Sequence, residues 1–502
     1  MTPTYALVIP TIGRPSLNRL LEALGEGDRL PAGEVIIVDD RPGRPAPLWP
    51  ATGFLSVTVL RSGGRGPAAA RNLGWRAARA DWICFLDDDV VAGQNWCARL
   101  EADLSGAGPD VVGSQAKIVV PEPTDRRPLD DERRTLRLAD ARWITADMAY
   151  RRDALVACGG FDERFPRAYR EDADLALRLT RAGGRIAFGS RESVHPIPGR
   201  TPAQSTVMSS VAAQRGNRDD ALMRRKHGRG WRKAIGEGRG RLPLHLVICG
   251  AGLLGVLGMI IRRRQLLSLG WLSWLGLTAE FALRRIAAGP RSRREVAAMV
   301  ISSALIPPVA VAQRIRGALR FRKALAEPPL AVLLDRDDTL IHDGPYLADP
   351  DRVRPLPHAR RAVRRLRRHG LRLAVVSNQS GVAKGLISPE QLAAVNSRVE
   401  ELLGPFDSWQ VCPHDDGDGC ACRKPAPGLV SAAADALDVH PGRCVMIGDT
   451  GGDMAAARAA DADAILVPTR RTRRAEIADA YANAAVARSL NAAVTLVIKG
   501  IR

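Results

Sequence analysis

Ala331-Val332-Leu333-Leu334-Asp335-Arg336-Asp337-Asp338-Thr339-Leu340 joins a four-residue apolar run to a burst of carboxylates. A short continuous apolar run that ends abruptly in polar residues marks a strand covered on both faces, as in a parallel sheet between helices. In such sheets ligands gather outside the carboxyl ends of the strands, so these carboxylates stand where chemistry is expected. Further apolar runs follow at Leu371 to Val376, Arg443 to Ile447 and Ala464 to Val467, separated by helical stretches such as Arg360 to Arg368. Residues from about 329 onward therefore predict an α/β unit.

Working outward, residues 1 to about 199 repeat the alternation, with strands expected at Tyr5 to Pro10, Val35 to Asp39, Leu55 to Leu60 and Trp82 to Leu86. This is a second α/β unit with a mostly parallel sheet. At 502 residues the chain exceeds what one hydrophobic core serves. The fold expected is two separate Rossmann-like, doubly wound units, 1–199 and 329–502, joined by a basic, apolar helical segment over 200–328. With 46% hydrophobic and 25% charged residues, extensive disorder is excluded.

The joining segment explains the net charge of +20, since Arg200 to Glu327 holds 24 Lys/Arg against 6 Asp/Glu. It also holds the longest apolar runs. Leu242 to Ile261 has the length needed to cross a hydrocarbon core; Leu266 to Leu283 and Val296 to Ala312, the latter interrupted by Pro307-Pro308, are weaker candidates. Basic residues beside apolar helices suit an anionic membrane surface, and no interleaving of aromatic and basic residues suggests nucleic acid. Arg262-Arg263-Arg264 at the tip of a two-span hairpin runs against the positive-inside tendency, so spanning and interfacial arrangements both stay open. No basic and apolar leader precedes the first strand, and the expectation is a cytoplasmic protein at the cytoplasmic face of the membrane.

In the N-terminal unit, Asp39-Asp40 and Asp87-Asp88-Asp89 each follow a strand. Carboxylates so placed can hold a hard divalent cation against a nucleotide diphosphate, although single acidic pairs are often turn residues or helix caps. Gly66-Pro67-Ala68-Ala69-Ala70-Arg71-Asn72 sets small residues and then a cation at a helix start, where a nucleotide can approach. A carboxylate of Arg170-Glu171-Asp172-Ala173-Asp174 suits the general base that an inverting sugar transfer requires.

In the C-terminal unit, carboxylates at i and i+2 can divide nucleophilic attack and proton transfer, while Ser377-Asn378, Lys424 and Gly448-Asp449 supply a hydroxyl, a cation and a metal carboxylate. Of eight cysteines, Cys412, Cys420 and Cys422 crowd together with His414. Such a set indicates reduced thiolates and a closed structural zinc site, with a reactive thiol pair as the alternative.

The order of these elements over residues 4 to 197, with Val8-Ile9-Pro10-Thr11, Ala70-Arg71-Asn72, the aspartate triplet and Gly159-Gly160-Phe161-Asp162-Glu163 before Glu171-Asp172, resembles the metal-dependent family 2 glycosyltransferases. The resemblance implies that Asp39, Asp40 and Arg71 contact the nucleotide, that Asp87 and Asp89 serve Mg2+ or Mn2+ and the diphosphate, and that Asp172 is the base. His195 lies where a further metal ligand can occur, though a lone histidine is more often structural. Residues 329 to 470 resemble the haloacid dehalogenase superfamily, and in particular the heptose 1,7-bisphosphate 7-phosphatases and their relatives that act on histidinol phosphate. That resemblance makes Asp335 the nucleophile and Asp337 the acid/base. Ser377, Asn378, Arg423 and Lys424 then bind phosphate, Mg2+ lies among Asp335, Asp337 and Asp449, and Asp453 is a second-sphere candidate. Asp338, where that family usually has glycine, and Thr450, where it often has a basic residue, depart from its pattern.

Together these expectations describe a bifunctional enzyme using a nucleotide sugar, an acceptor that the sequence does not reveal, and a phosphosugar. A non-catalytic, membrane-docking role for one half is the alternative.

Overall fold

The computed structural model describes residues 3–27, 30–43, 45–53, 55–197, 206–342, 344 and 346–500. It divides into two units, Met1–Arg322 and Lys323–Arg502. The expected boundary at 199/200 falls outside the described residues.

The first unit is built on eight strands: β1 (Tyr5–Thr11), β2 (Glu34–Asp39), β3 (Val57–Arg61), β4 (Trp82–Leu86), β5 (Val91–Ala92), β6 (Val111–Val119), β7 (Asp147–Arg151) and β8 (Arg185–Val194). They lie in the order β3-β2-β1-β4-β7-β6-β8-β5. The first four pair in parallel, and β7 then joins β4 antiparallel. The mainly apolar β1, β2 and β4 were legible as continuous runs. β6 and β8 carry Gln115, Lys117, Arg191 and Glu192, which break the hydrophobic signal although both strands are integral to the sheet. One face packs Leu7, Ile9, Val35 and Ile37 against Leu17, Leu20 and Leu21 of helix Ser16–Gly25. The other packs Ala6, Val8, Ile36 and Val38 against helix Pro67–Ala77. A Cβ on Gly74 would stand 2.3 Å from Val8 Cγ1, so only glycine lets that helix approach β1 this closely.

The same unit includes helices Thr206–Ala212, Gly216–His227, Leu242–Ile260, Arg264–Ala287 and Arg293–Arg320. The last three are long and apolar enough to cross a membrane. The third runs unbroken through Pro307 and Pro308, where an interruption was expected. Ser302 and Ser303 of its buried face accept bonds from Arg285 on the second, at 2.7 and 3.0 Å. Arg285 also reaches Asp130, 3.0 Å away in the segment between β6 and β7, and so ties the helices to the sheet domain.

The second unit contains β9 (Ala331–Leu334), β10 (Arg372–Asn378), β11 (Ser408–Cys412), β12 (Cys444–Gly448), β13 (Asp463–Leu466) and β14 (Ala485–Val486). All pair in parallel in the order β11-β10-β9-β12-β13-β14. The sequence lacks a clear signal for β11, whose first four residues are only half-buried, and for the two-residue β14. β9 lies fully buried between β10 and β12, and the chain leaves it in opposite directions on either side. That reversal opens a crevice at the carboxyl end of β9, where Asp335 begins.

Candidate active sites

At the end of β9 the amide of Asp335 donates to Ile447 O of β12 (2.9 Å), fixing the first residue of the crevice to the sheet. Lys424 enters from the loop after β11, its Nζ 2.6 Å from Asp335 Oδ1, 2.6 Å from Asp453 Oδ1 and 2.8 Å from Val376 O. Carboxylate oxygens of Asp335, Asp449 and Asp453 all lie within 4.8 Å of one another. Burial pushes the Asp335 carboxyl up, against the pull of Lys424. Asp449 is pushed up to about 7, by burial first and then by Asp453 and Asp338. Such crowded, desolvated carboxylates favour a divalent cation with oxygen ligands.

The other expected residues divide into those that face the crevice and those that brace it. Ser377 Oγ accepts from Gln379 Nε2 (2.9 Å), which also donates to Asp337 Oδ2 (2.7 Å), so Gln379, absent from the sequence-based set, orients two site residues. The Asp337 carboxylate meets Arg336 (3.0 Å). Asn378 brackets the main chain of Lys424, donating to its carbonyl (3.0 Å) and accepting from its amide (3.1 Å). Arg423, expected to bind phosphate, donates to Asp416 (2.5 Å) and His414 O (3.2 Å). In the sequence it is indistinguishable from its neighbour Lys424; only the loop's path separates the two. Asp338 adopts φ 54° and lies 3.7 Å from Arg471.

Cys412, His414, Cys420 and Cys422 converge, with Sγ and Nδ1 separations of 3.3 to 3.7 Å. A zinc–sulfur bond of about 2.3 Å gives tetrahedral edges of roughly 3.8 Å, close to these values. All four sulfur and nitrogen donors lie within one ion's reach, and all eight cysteines of the chain are free thiols.

In the first unit a cleft of about 470 Å3 opens over the carboxyl ends of β1 and β4. Asp40, Arg71, Asp87, Asp89, Asp172 and His195 line it, as do Thr11, Arg14, Asp88, Arg167 and Glu171. Asp39 is not part of the lining. Its carboxylate is held by Arg41 (2.8 Å from both Nε and Nη2), which also draws its pKa down. Asp40 accepts from Ser62 Oγ (2.6 Å) and from the amides of Arg65 (2.8 Å) and Gly66 (2.9 Å), shaping the entry to helix Pro67–Ala77.

Arg71 is buried, with Nη2 2.7 Å from Asp87 and Nη1 2.9 Å from Glu171. Asp88 accepts from Thr11 Oγ1 (2.6 Å), and Arg14 spans Asp88 and Asp89 at 3.0 and 2.7 Å. His195 Nε2 lies 3.6 Å from Asp89 Oδ1, so the imidazole and that carboxylate share one end of the cleft. Burial, reinforced by Asp172, pushes Glu171 up to about 8, and burial also raises Asp172. Sequence patterning missed Arg14 and Arg167 because arginines are abundant throughout the chain.

Residues 6–162 match the glycosyl transferase family 2 profile, and residues 421–493 match a HAD-hydrolase-like profile. The D-glycero-beta-D-manno-heptose-1,7-bisphosphate 7-phosphatase of Pseudomonas aeruginosa is 36% identical over 143 residues, which is 28% of this chain and 80% of that protein. The chain belongs to that phosphatase family through its C-terminal unit. Its N-terminal unit carries a family 2 glycosyltransferase domain. The corresponding enzyme of Bordetella bronchiseptica is 34% identical over 148 residues, 28% of this chain and 83% of its own length. A crystal structure of a D,D-heptose 1,7-bisphosphate phosphatase from B. bronchiseptica with magnesium and phosphate aligns at 30% identity and TM-score 0.31, covering 34% of this chain and 98% of that one. A Pyrobaculum calidifontis mannosyltransferase with GDP-Man and Mn2+ aligns at 17% identity and TM-score 0.35, covering 63% and 87%. The two domains are a transferase and a phosphatase.

Proposed function

We propose that the chain is a bifunctional enzyme, with the C-terminal unit hydrolysing a phosphosugar of the heptose bisphosphate kind and the N-terminal unit transferring a sugar from a nucleotide donor. The observation that carries the phosphatase half is the junction of Lys424 with Asp335 and Asp453 beside Asp449, at the crevice where β9 ends. Asp335 attacks phosphorus through a carboxylate oxygen, and the bond to the sugar oxygen breaks. Asp337 gives that oxygen its proton and then takes one from the water that cleaves the phosphoaspartate. Ser377 and Lys424 hold the phosphoryl oxygens. Asp335, Asp449 and the main-chain carbonyl of Asp337 would hold Mg2+, which would supply charge neutralisation. Cys412, His414, Cys420 and Cys422 would hold zinc, which would fix the loop that delivers Lys424.

In the transferase half, Asp172 takes the proton of the acceptor hydroxyl as its oxygen bonds to the anomeric carbon and the bond between sugar and diphosphate breaks. Asp87, Asp89 and His195 suit a divalent cation, Mg2+ or Mn2+, which would neutralise the leaving diphosphate. The three long apolar helices and the basic residues around them support attachment to an anionic membrane surface on its cytoplasmic face. Phosphate release from a panel of phosphosugars, measured on the full chain and on Asp335→Asn, tests the first half. Release that survives the substitution removes the proposed nucleophile.

A further inference from the structure

Three arginines line the transferase cleft among its described residues, and they stand in opposite electrical settings. Arg14 lies between two carboxylates, Asp88 and Asp89, and Arg71 between two others, Asp87 and Glu171. Both are committed to shaping the acidic cluster. Arg167 meets one carboxylate, that of Asp219, and Asp219 is itself shared with Arg218, whose Nε is 3.6 Å away. One negative charge therefore faces two positive ones, and the excess lies at the cleft wall. Asp219 is 1% exposed, so it is a fixed strut, whereas the Arg167 side chain remains 32% exposed and its buried Nε has no hydrogen-bond partner.

The strut comes from helix Gly216–His227, in the basic segment expected to join the two units at a membrane. That helix is fastened to the active-site helix Glu171–Arg181 by Lys226 and His227, which lie 2.7 and 2.8 Å from Asp174. Asp220 holds Arg170 at 3.0 Å, immediately before Glu171 and Asp172. Arg167 is thus presented on a wall held at several points, as a guanidinium that is to bind a ligand without reorganising must be.

We propose that Arg167 binds the phosphate oxygens of the nucleoside diphosphate, stabilising the charge that develops as it leaves, and that Asp219 is the positioning residue that aims it. The proposal rests on the nucleotide-sugar function argued above. Guanidinium and phosphate match in planar, paired hydrogen bonds, and the other two arginines described in the cleft are each held between two carboxylates.

The test is calorimetric binding of UDP and GDP, each with Mn2+, to the detergent-solubilised full chain, beside uridine and guanosine as ligands lacking phosphate. In R167Q the diphosphate affinity should fall about tenfold or more while nucleoside affinity holds. R167K, which keeps the charge and loses the fork, should lie between. D219N should weaken the diphosphate, and D219E should restore part of the loss, which a role in folding alone would not produce. Wild-type binding left unchanged by R167Q overturns the proposal and spares the transferase function. Wild type that binds neither diphosphate overturns both. Should R167Q lose nucleoside binding as well, D219N decides: equal loss of both ligands, or loss of neither, overturns the proposal.

Discussion

Lys424 Nζ lies 2.6 Å from Asp335 Oδ1 with both side chains buried, so the cation that would hold phosphate in the second unit already neutralises the residue that would attack it. Asp335→Asn keeps the shape and removes the proposed nucleophile, and phosphate release should fall by three orders of magnitude or more, to background. Lys424→Met would leave Asp335 and Asp453 facing each other unpaired, a loss on the order of 3–5 kcal/mol of stability. The expected result is that Lys424→Met lowers the unfolding temperature of the second unit sharply and Asp335→Asn does not. Equal behaviour of the two variants would contradict the distinction.

The zinc set and Lys424 lie on one short loop, so the metal's effect should be local and kinetic. Cys422→Ser should lower zinc content and reduce phosphatase kcat at least tenfold with saturating Mg2+, leaving sugar transfer unaltered. Zinc analysis with parallel assays of the two activities checks this. Full phosphatase activity in a zinc-free variant would show that the loop orders itself.

What the sequence disclosed and what it concealed have separate physical causes. β9 and the carboxylates after it are read directly because a doubly buried strand must be continuously apolar and an open sheet exposes its chemistry at strand ends. Asp335, Asp449 and Lys424 do meet, as the motif order implied. The present partners of Arg423 and Asp39 were not legible, because a sequence motif does not say which way a side chain turns. One braces the Cys/His loop and the other is held by Arg41. Asp219 was hidden for another reason: its significance is a pairing with Arg167 across 52 residues, and no local pattern records that.

Glu171 provides a pH test. Its carboxyl is raised from 4.5 to about 8, by burial first and then by Asp172, with Arg71 opposing. A folded-state pKa above the unfolded one means the folded form holds the proton longer. The resulting stability is complete below about pH 4.5 and is lost as pH rises through about 8. Across that window the first unit should lose up to about 1.4 kcal/mol per pH unit from this residue. Glu171→Gln should flatten the slope without abolishing it, since Asp172 is raised in the same direction. Chemical denaturation at several pH values measures this, and parallel slopes for wild type and variant would refute it.

Asp87→Ala combined with Asp89→Ala should abolish turnover of nucleotide sugars and leave phosphatase kcat within about twofold, because the two sites belong to separate compact units. Retained transfer would remove these carboxylates from metal binding.

The first two long helices meet through glycines, and that contact separates apolar insertion from charge attraction. A Cβ on Gly270 would stand 2.1 Å from Gly255 N, and one on Gly258 would stand 2.2 Å from Leu267 N, so the backbones touch where any side chain would force them apart. Their outward faces carry Leu246, Leu253, Leu257, Leu269, Leu272 and Leu275, all exposed. Nineteen residues at about 1.5 Å each give the first helix roughly 28 Å, near the thickness of a hydrocarbon core. If this surface enters lipid, the full chain should sediment with anionic vesicles and stay bound in about 1 M salt, where the Debye length falls to about 3 Å and purely electrostatic attachment is released. Gly270→Leu should separate the pair and lower the yield of monodisperse protein from detergent, while phosphatase activity per folded molecule persists. Complete release by salt would assign the attachment to the arginines alone, and salt-sensitive binding to DNA duplexes without vesicle binding would make the basic segment a nucleic-acid surface instead.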